Sequence, residues 1–327
     1  MSLQQLPKVE LHLHLEGAAP PAFIRRLGQE KDVNLSGVFH EDGSYIFRDF
    51  VDFLRVYEAA TEVLQSPDDF RRLIEAVLAE SANHGVIYTE MFVSPDFCGG
   101  ADLGAWREYL HAMQDGADRA EAEYGIKMRG IVTCVRHLGP EQAKQAATCA
   151  AETAGDWIVG FGMGGDENVG HQSDYAYSFD MAKEAGLRLT THAGEWRGPQ
   201  EVRDAIAIGA ERIGHGVRCA SDPQLVKEMI DRGIVLEVCP GSNVSLGVYK
   251  SLLEHPVHQL AEAGVAVTVS TDDPPFFHST MTSEYEGLAS TFGWDEDRFI
   301  DLATTSAMSA FCNEETRIEI LKRIDAQ

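Results

Sequence analysis

The most constraining feature of this sequence is an alternation that recurs eight times, a short β-branched or apolar run followed by a longer stretch with helical spacing. The strand-like runs are 9–15, 86–93, 127–135, 157–164, 188–192, 212–215, 235–239 and 265–270. Helical spacing falls at 104–124, 140–155, 175–185, 200–208, 222–232 and 256–263, and again after the last strand. Alternating strands and helices of this length build a parallel sheet covered by helices. Eight units in 327 residues predict an α/β chain folded as a (β/α)8 TIM barrel. A doubly wound open sheet is the competing architecture, but no GxGxxG follows the first strand and opens a helix. Gly162-Met163-Gly164-Gly165 lies on the fourth strand and lacks that spacing. Residues 19–83 carry more helical pattern than one crossover needs, so extra helices are expected after the first strand. No Pro/Gly/Ser-rich linker or charge block divides the chain, which predicts one barrel domain over residues 1–327.

Lys and Arg number 27 against 52 Asp and Glu, a formal charge of −25. Such a surface repels phosphate backbones and anionic lipid, so nucleic acid and membrane are poor partners and a small neutral or cationic molecule is the better one. The six cysteines (98, 134, 149, 219, 239 and 312) form no CxxC pair and read as free thiols in a reducing compartment. The N-terminus has no basic stretch leading into an apolar run, and no run of about 18 apolar residues occurs, so a cytoplasmic location is expected.

The chemistry gathers at the C-terminal ends of the predicted strands. His12 and His14 stand at the first and Ser94 at the second; Arg136 and then Gly164-Gly165-Asp166-Glu167 follow. The fifth ends on His192 with Glu195 just beyond, and the last three on His215-Gly216, Ser242-Asn243 and Asp272-Asp273. In a barrel these ends share the face on which active sites are built. The i, i+2 spacing of His12 and His14 puts both imidazoles, with Glu10, on one side of the strand. With His192 and Asp272 they form a donor set suited to one divalent transition metal, zinc being the commonest, with a position left open for water. HExxH is absent, and His14-Leu15-Glu16 imitates an H-x-E deaminase motif without the P-C-x-x-C that would complete it. Glu195, in a wall of low polarity, is a candidate proton donor with a raised pKa, and His215 a candidate to orient or deprotonate the water. The other histidines (40, 84, 111, 137, 171, 255, 258 and 278) read as surface or packing residues.

Leu11-His12-Leu13-His14-Leu15-Glu16-Gly17, Gly165-Asp166-Glu167, Thr191-His192-Ala193-Gly194-Glu195, Gly214-His215-Gly216, Cys239-Pro240-Gly241-Ser242-Asn243 and Ser270-Thr271-Asp272-Asp273-Pro274 resemble, in order, the motifs of the adenosine deaminases, metal-dependent amidohydrolases built on (β/α)8 barrels. The resemblance runs from residue 6 to about residue 315. It implies a zinc-dependent hydrolysis of adenosine and 2′-deoxyadenosine to the 6-oxo nucleoside and ammonia, with attack at purine C6. It further implies one zinc on His12, His14, His192 and Asp272, and Glu195 and His215 as catalytic residues. Glu195 would protonate purine N1 and His215 would assist the zinc-activated water. His14, Glu16, Gly165 and Asp273 would face the substrate, the Gly165 N–H meeting N3 and Asp273 pairing with N7, beneath an apolar lid of Phe53, Leu54 and Tyr57. Two positions depart from the pattern. Glu16 stands where adenosine deaminases commonly have Asp and adenine deaminases often have Glu, and Gly162 stands where many have Asp. Adenine, or another 6-aminopurine, is therefore the alternative substrate, although Gly165-Asp166-Glu167 looks like the adenosine branch. A catalytically dead purine-binding barrel would have lost one of these residues, and none is missing.

Overall fold

The computed structural model describes residues 2–326. Eight parallel strands follow one another around the sheet in chain order: β1 (Lys8–His14), β2 (Val86–Val93), β3 (Lys127–Val135), β4 (Ile158–Gly164), β5 (Arg188–Ala193), β6 (Arg212–His215), β7 (Val235–Val238) and β8 (Ala266–Val269). The expected ranges hold to within a residue or two. The ring closes between β1 and the segment after β8. The His14 N–H donates to the Asp272 carbonyl at 3.0 Å and the Asp272 N–H to the His12 carbonyl at 3.2 Å. Ser270 Oγ completes the seam by accepting from the amides of Leu11 (3.2 Å) and His12 (3.1 Å). The fold is thus the expected (β/α)8 barrel, and its closure brings together residues about 260 apart in the chain.

The alternation along β1 serves the two faces of the wall. Val9 and Leu11 pack outward on Ala303, Ala307, Ile320 and Ile324 of the last two helices, Glu296–Ser309 and Glu314–Asp325, while His12 and His14 lie among the histidines inside. Glu10 breaks the expected pattern. The β1–β2 register shifts between Glu10 and Leu13, and Glu10 lines a separate cavity with Ala18, His84 and Thr271. There its carboxylate accepts from the Thr271 amide (3.0 Å) and hydroxyl (2.6 Å). A bulge of this kind re-aims one side chain without disturbing the rest of the strand.

The predicted insertion is three helices between β1 and β2: α1 (Pro21–Lys31), α2 (Phe50–Thr61) and α3 (Pro67–Asn83). α2 starts at Asp49, whose side chain accepts from the Asp52 N–H at 2.9 Å and satisfies one of the free amides of the first turn. Phe53 and Val56 on its inner face are buried, and Phe53 meets Phe276 edge to face at 5.2 Å. This contact draws α2 over the strand ends. No helix among the described residues is long and apolar enough to cross a membrane.

Candidate active site

The strand ends enclose a cavity of about 770 Å³ including its mouth, a size suited to a small molecule. His14, His192, His215, Glu195, Asp272 and Asp273 line its floor, and Phe50, Phe53, Leu54 and Tyr57 of α2 form one wall. The sequence-predicted lid residues therefore do face the cavity. Gly165 and Glu16 also line it, as expected.

His12, His14, His192 and Asp272 present donor atoms that all lie within 4.8 Å of one another. Three separations are short: His14 Nε2 to His192 Nε2 is 3.2 Å, and Asp272 Oδ1 lies 3.4 Å from His12 Nε2 and 3.3 Å from His14 Nε2. Donors roughly 2.0–2.1 Å from a tetrahedral ion stand roughly 3.3 Å apart, so this quartet has the dimensions of a metal cage. The outer nitrogens settle how two rings present themselves. His192 Nδ1 donates to the Met163 carbonyl (2.9 Å) and His12 Nδ1 to Glu237 Oε2 (2.8 Å), which turns both Nε2 lone pairs inward. His12 Nε2 is buried without a hydrogen-bond partner in the protein, the condition of an atom awaiting an ion. Ser242 Oγ donates to Asp272 Oδ2 at 2.6 Å and leaves Oδ1 for the cage.

Backbone strain marks the same place. Among the described residues five non-glycines adopt left-handed backbone, and two of them are His215 (φ 58°) and Asp272 (φ 68°). Strain of this kind persists where surrounding contacts over-determine a conformation that function requires.

Burial, reinforced by the charges of Asp272 and Glu167, holds the Glu195 carboxyl well above the ordinary carboxylate range, which favours its protonated form. Burial and the Asp272 charge do the same for Asp273. Burial brings Glu16 to about 7, and drives His215 down to about 3, leaving it neutral. The site thus pairs carboxyls biased toward their protonated form with a histidine held neutral, the separation that acid–base work requires.

The loop carrying Glu195 is gripped from below by Glu167. Its carboxylate accepts from the amides of Gly194, Trp196 (2.6 Å) and Arg197 (3.1 Å). Gly165 has φ +97°, and a Cβ there would come within 2.8 Å of His137 Nδ1. Only glycine fits, and its backbone can approach a ligand closely. Gly17 is as restrictive, since a Cβ would overlap Asp273 Oδ1 at 1.6 Å.

Several contributors were not legible as such. Glu237, the partner of His12, sits inside the apolar strand β7, where a lone acid in a buried run was the available signal. His137 lines the cavity and His255 is hydrogen-bonded to Asn243, although both read as packing residues. His171 lies outside the cavity lining.

Comparison with known proteins supplies the remaining observations. Residues 7–327 match the family model described as adenosine deaminase. The chain is 45% identical over 320 residues to an adenine deaminase of Rhizobium leguminosarum bv. trifolii, covering 98% of this chain and 99% of the relative. It is 42% identical over 320 residues to an adenine deaminase of Agrobacterium fabrum, covering 98% of each. Its structure superposes on that of adenine deaminase from Arthrobacter aurescens with a TM-score of 0.90 at 27% identity, over 98% of each chain.

Proposed function

As a member of the adenosine deaminase family the chain is a hydrolase of C–N bonds in cyclic amidines, and we propose that its preferred substrate is adenine as the free base, which it converts with water into hypoxanthine and ammonia. The observation that carries the reaction type is the meeting, at one cavity, of a buried Glu195 whose carboxyl is held well above the ordinary range with the cage of His12, His14, His192 and Asp272. Two observations support the free base over the nucleoside expected from the motif set. The relatives of Rhizobium leguminosarum and Agrobacterium fabrum that match over nearly the whole chain are adenine deaminases, and Glu16 occupies the position where adenosine deaminases commonly carry the shorter Asp.

The cage fits a divalent cation, with zinc the first choice for three imidazoles and a carboxylate, and such an ion supplies water ionised near neutral pH. The protein does the rest. Glu195 delivers its proton to ring N1 while oxygen adds at C6, so the ring never carries a full negative charge. Asp273, whose carboxyl is pushed upward by burial and the Asp272 charge and whose Oδ1 has no partner in the protein, donates to N7, and the Gly165 N–H meets N3. Glu16 closes the end of the cavity beside Tyr57, whose hydroxyl donates to Glu16 Oε2 at 3.2 Å. The aromatic wall of α2 keeps bulk water from the reacting carbon. Six free, buried cysteines support a cytoplasmic setting.

The test is a steady-state comparison of adenine and adenosine with the metal-loaded protein, following ammonia release. An adenine preference in kcat/KM of a hundredfold or more is expected, about 2.7 kcal/mol in transition-state stabilisation. An equal or greater kcat/KM for adenosine would restore the nucleoside reading, which the Gly165-Asp166-Glu167 motif favours.

A further inference from the structure

A line of hydrogen bonds runs from the backbone near β8 into the cavity. The Val257 N–H donates to His255 Nδ1 at 3.2 Å. His255 Nε2 lies 3.1 Å from Asn243 Oδ1, and Asn243 Nδ2 lies 3.3 Å from His215 Nδ1 and 3.2 Å from Glu195 Oε1. His255 is 3% exposed, His215 1% and Asn243 0%, so water has little access to correct a mismatch.

The first bond determines all the others. A backbone amide can only donate, so His255 Nδ1 must accept and carries no proton. Burial keeps this ring neutral, its pKa lowered to about 3, so its one proton is on Nε2. Nε2–H then donates to Asn243, and the atom facing it must be the amide oxygen. The Asn243 NH2 group is left pointing the other way, one hydrogen for Glu195 Oε1 and one for His215 Nδ1. A reversed amide would set its NH2 against the Nε2–H of His255, two donors facing each other in a dry site. His215 Nδ1 therefore accepts, and the proton of this neutral ring is on Nε2. That nitrogen faces the cavity, 3.8 Å from Asp272 Oδ2 and 3.9 Å from Glu195 Oε2, too far to bond to either.

We propose that His255 is a positioning residue that acts through Asn243 to hold His215 with its proton on Nε2, so that His215 donates a hydrogen bond to the reacting water and does not remove its proton. The catalytic meaning of this arrangement rests on the hydrolysis proposed above, but the protonation pattern itself does not. It decides between the two roles open to His215 from sequence, orienting the water or deprotonating it. It also explains why a histidine outside the cavity lining is buried beside an asparagine that bonds two of the lining residues, Glu195 and His215.

The test reads His215 directly. In metal-loaded protein labelled with 15N-histidine, two-bond 1H–15N correlation without substrate, with His215→Gln to assign the signal, is expected to show Nδ1 unprotonated and Nε2 protonated. The reverse pattern in the wild type would overturn the proposal. His255→Phe removes the donor that orients Asn243, and should bring a protonated-Nδ1 population of His215 together with a fall in kcat of about 10–100-fold. The KM for adenine should stay within about threefold, because the residue does not touch substrate. A soluble, metal-loaded His255→Phe protein with unchanged His215 signals and unchanged kcat would remove His255 from the mechanism. Asn243→Asp offers a carboxylate that only accepts, and should convert His215 to the Nδ1-protonated form even if the His255 variant does not fold. If wild-type protein fails to turn over adenine, the substrate reading falls while the His215 spectrum still judges this proposal.

Discussion

Inside the barrel, the charged layer nearer the N-terminal ends of the strands and the layer at their C-terminal ends handle burial in opposite ways. In the first, Arg212 opens β6 and donates to Glu90 Oε2 (2.7 Å) and Glu237 Oε1 (2.5 Å), with its guanidinium 3.6 Å from the Phe311 ring centre. Tyr88 and the Phe311 amide satisfy Glu90, and Thr190 and His12 satisfy Glu237. Glu237 keeps its charge, because Arg212 and His12 outweigh the cost of its burial. In the second layer Glu195, Asp273 and Glu16 are all displaced upward by burial, and His12 Nε2, Glu16 Oε1 and Asp273 Oδ1 are left without partners. The lower layer pairs its charges with one another and serves the fold, although Arg212 Nη2 has no hydrogen-bond partner, whereas the upper layer turns its unpaired acid and imidazole atoms toward the cavity. His12 belongs to both, with Nδ1 in the lower network and Nε2 in the upper one.

This contrast predicts that substitutions above should damage rate and those below should damage stability. The largest effect is expected for Glu195→Gln, which keeps shape and removes the transferable proton. Its kcat should fall by about 10²–10⁴-fold with metal content and thermal stability unchanged. Activity close to wild type, or loss of metal, would erase the distinction between a proton donor and a structural group.

Arg212→Met should do the reverse, leaving Glu90 and Glu237 buried without their cation at a cost of about 3–5 kcal/mol in urea unfolding. A stable Arg212→Met protein would show that the lower layer is not what holds the strands in register. An intermediate case sharpens the boundary. Glu167→Gln keeps one acceptor where three amides need a carboxylate, so the Glu195 loop should loosen, with kcat falling about 10–100-fold and folding stability changing little. An unaltered kcat would mean that the loop holds Glu195 without Glu167.

The smallest expected effect concerns pH. Glu284, whose Oε2 accepts from the Gly241 amide at 3.1 Å in the short helix Pro240–Ser245 that bears Ser242 and Asn243, is raised by burial from 4.5 to about 8. A carboxyl whose folded pKa exceeds its unfolded one binds more protons in the native state. Its stabilising contribution is whole below about pH 4.5 and declines as pH rises through about 8. Glu284→Gln retains the acceptor without the charge. It should raise Tm above pH 8 by roughly 2–4 °C relative to wild type, and by much less near pH 4.5. An equal Tm difference at both pH values would show that Glu284 ionises as freely as a surface carboxyl.

What the sequence by itself determined was everything carried by short-range periodicity and fixed motif spacing. Period two put His12 and His14 on one side of β1 and Leu11 on the other, and the eightfold alternation sufficed for a barrel with its chemistry at the strand C-termini. Glu10 already escaped that reasoning, because a register shift depends on the neighbouring strand and not on β1 itself. Only the tertiary structure could decide how groups that are distant in the chain satisfy one another. Glu237 reads as a lone acid in an apolar strand until β7 lies beside the ring of His12, and His255 reads as packing until Asn243 stands between it and His215. The physical reason is that a buried polar group is defined by its partners, and hydrogen-bond direction passes from one partner to the next only once the barrel has closed and excluded the water that would otherwise answer either way.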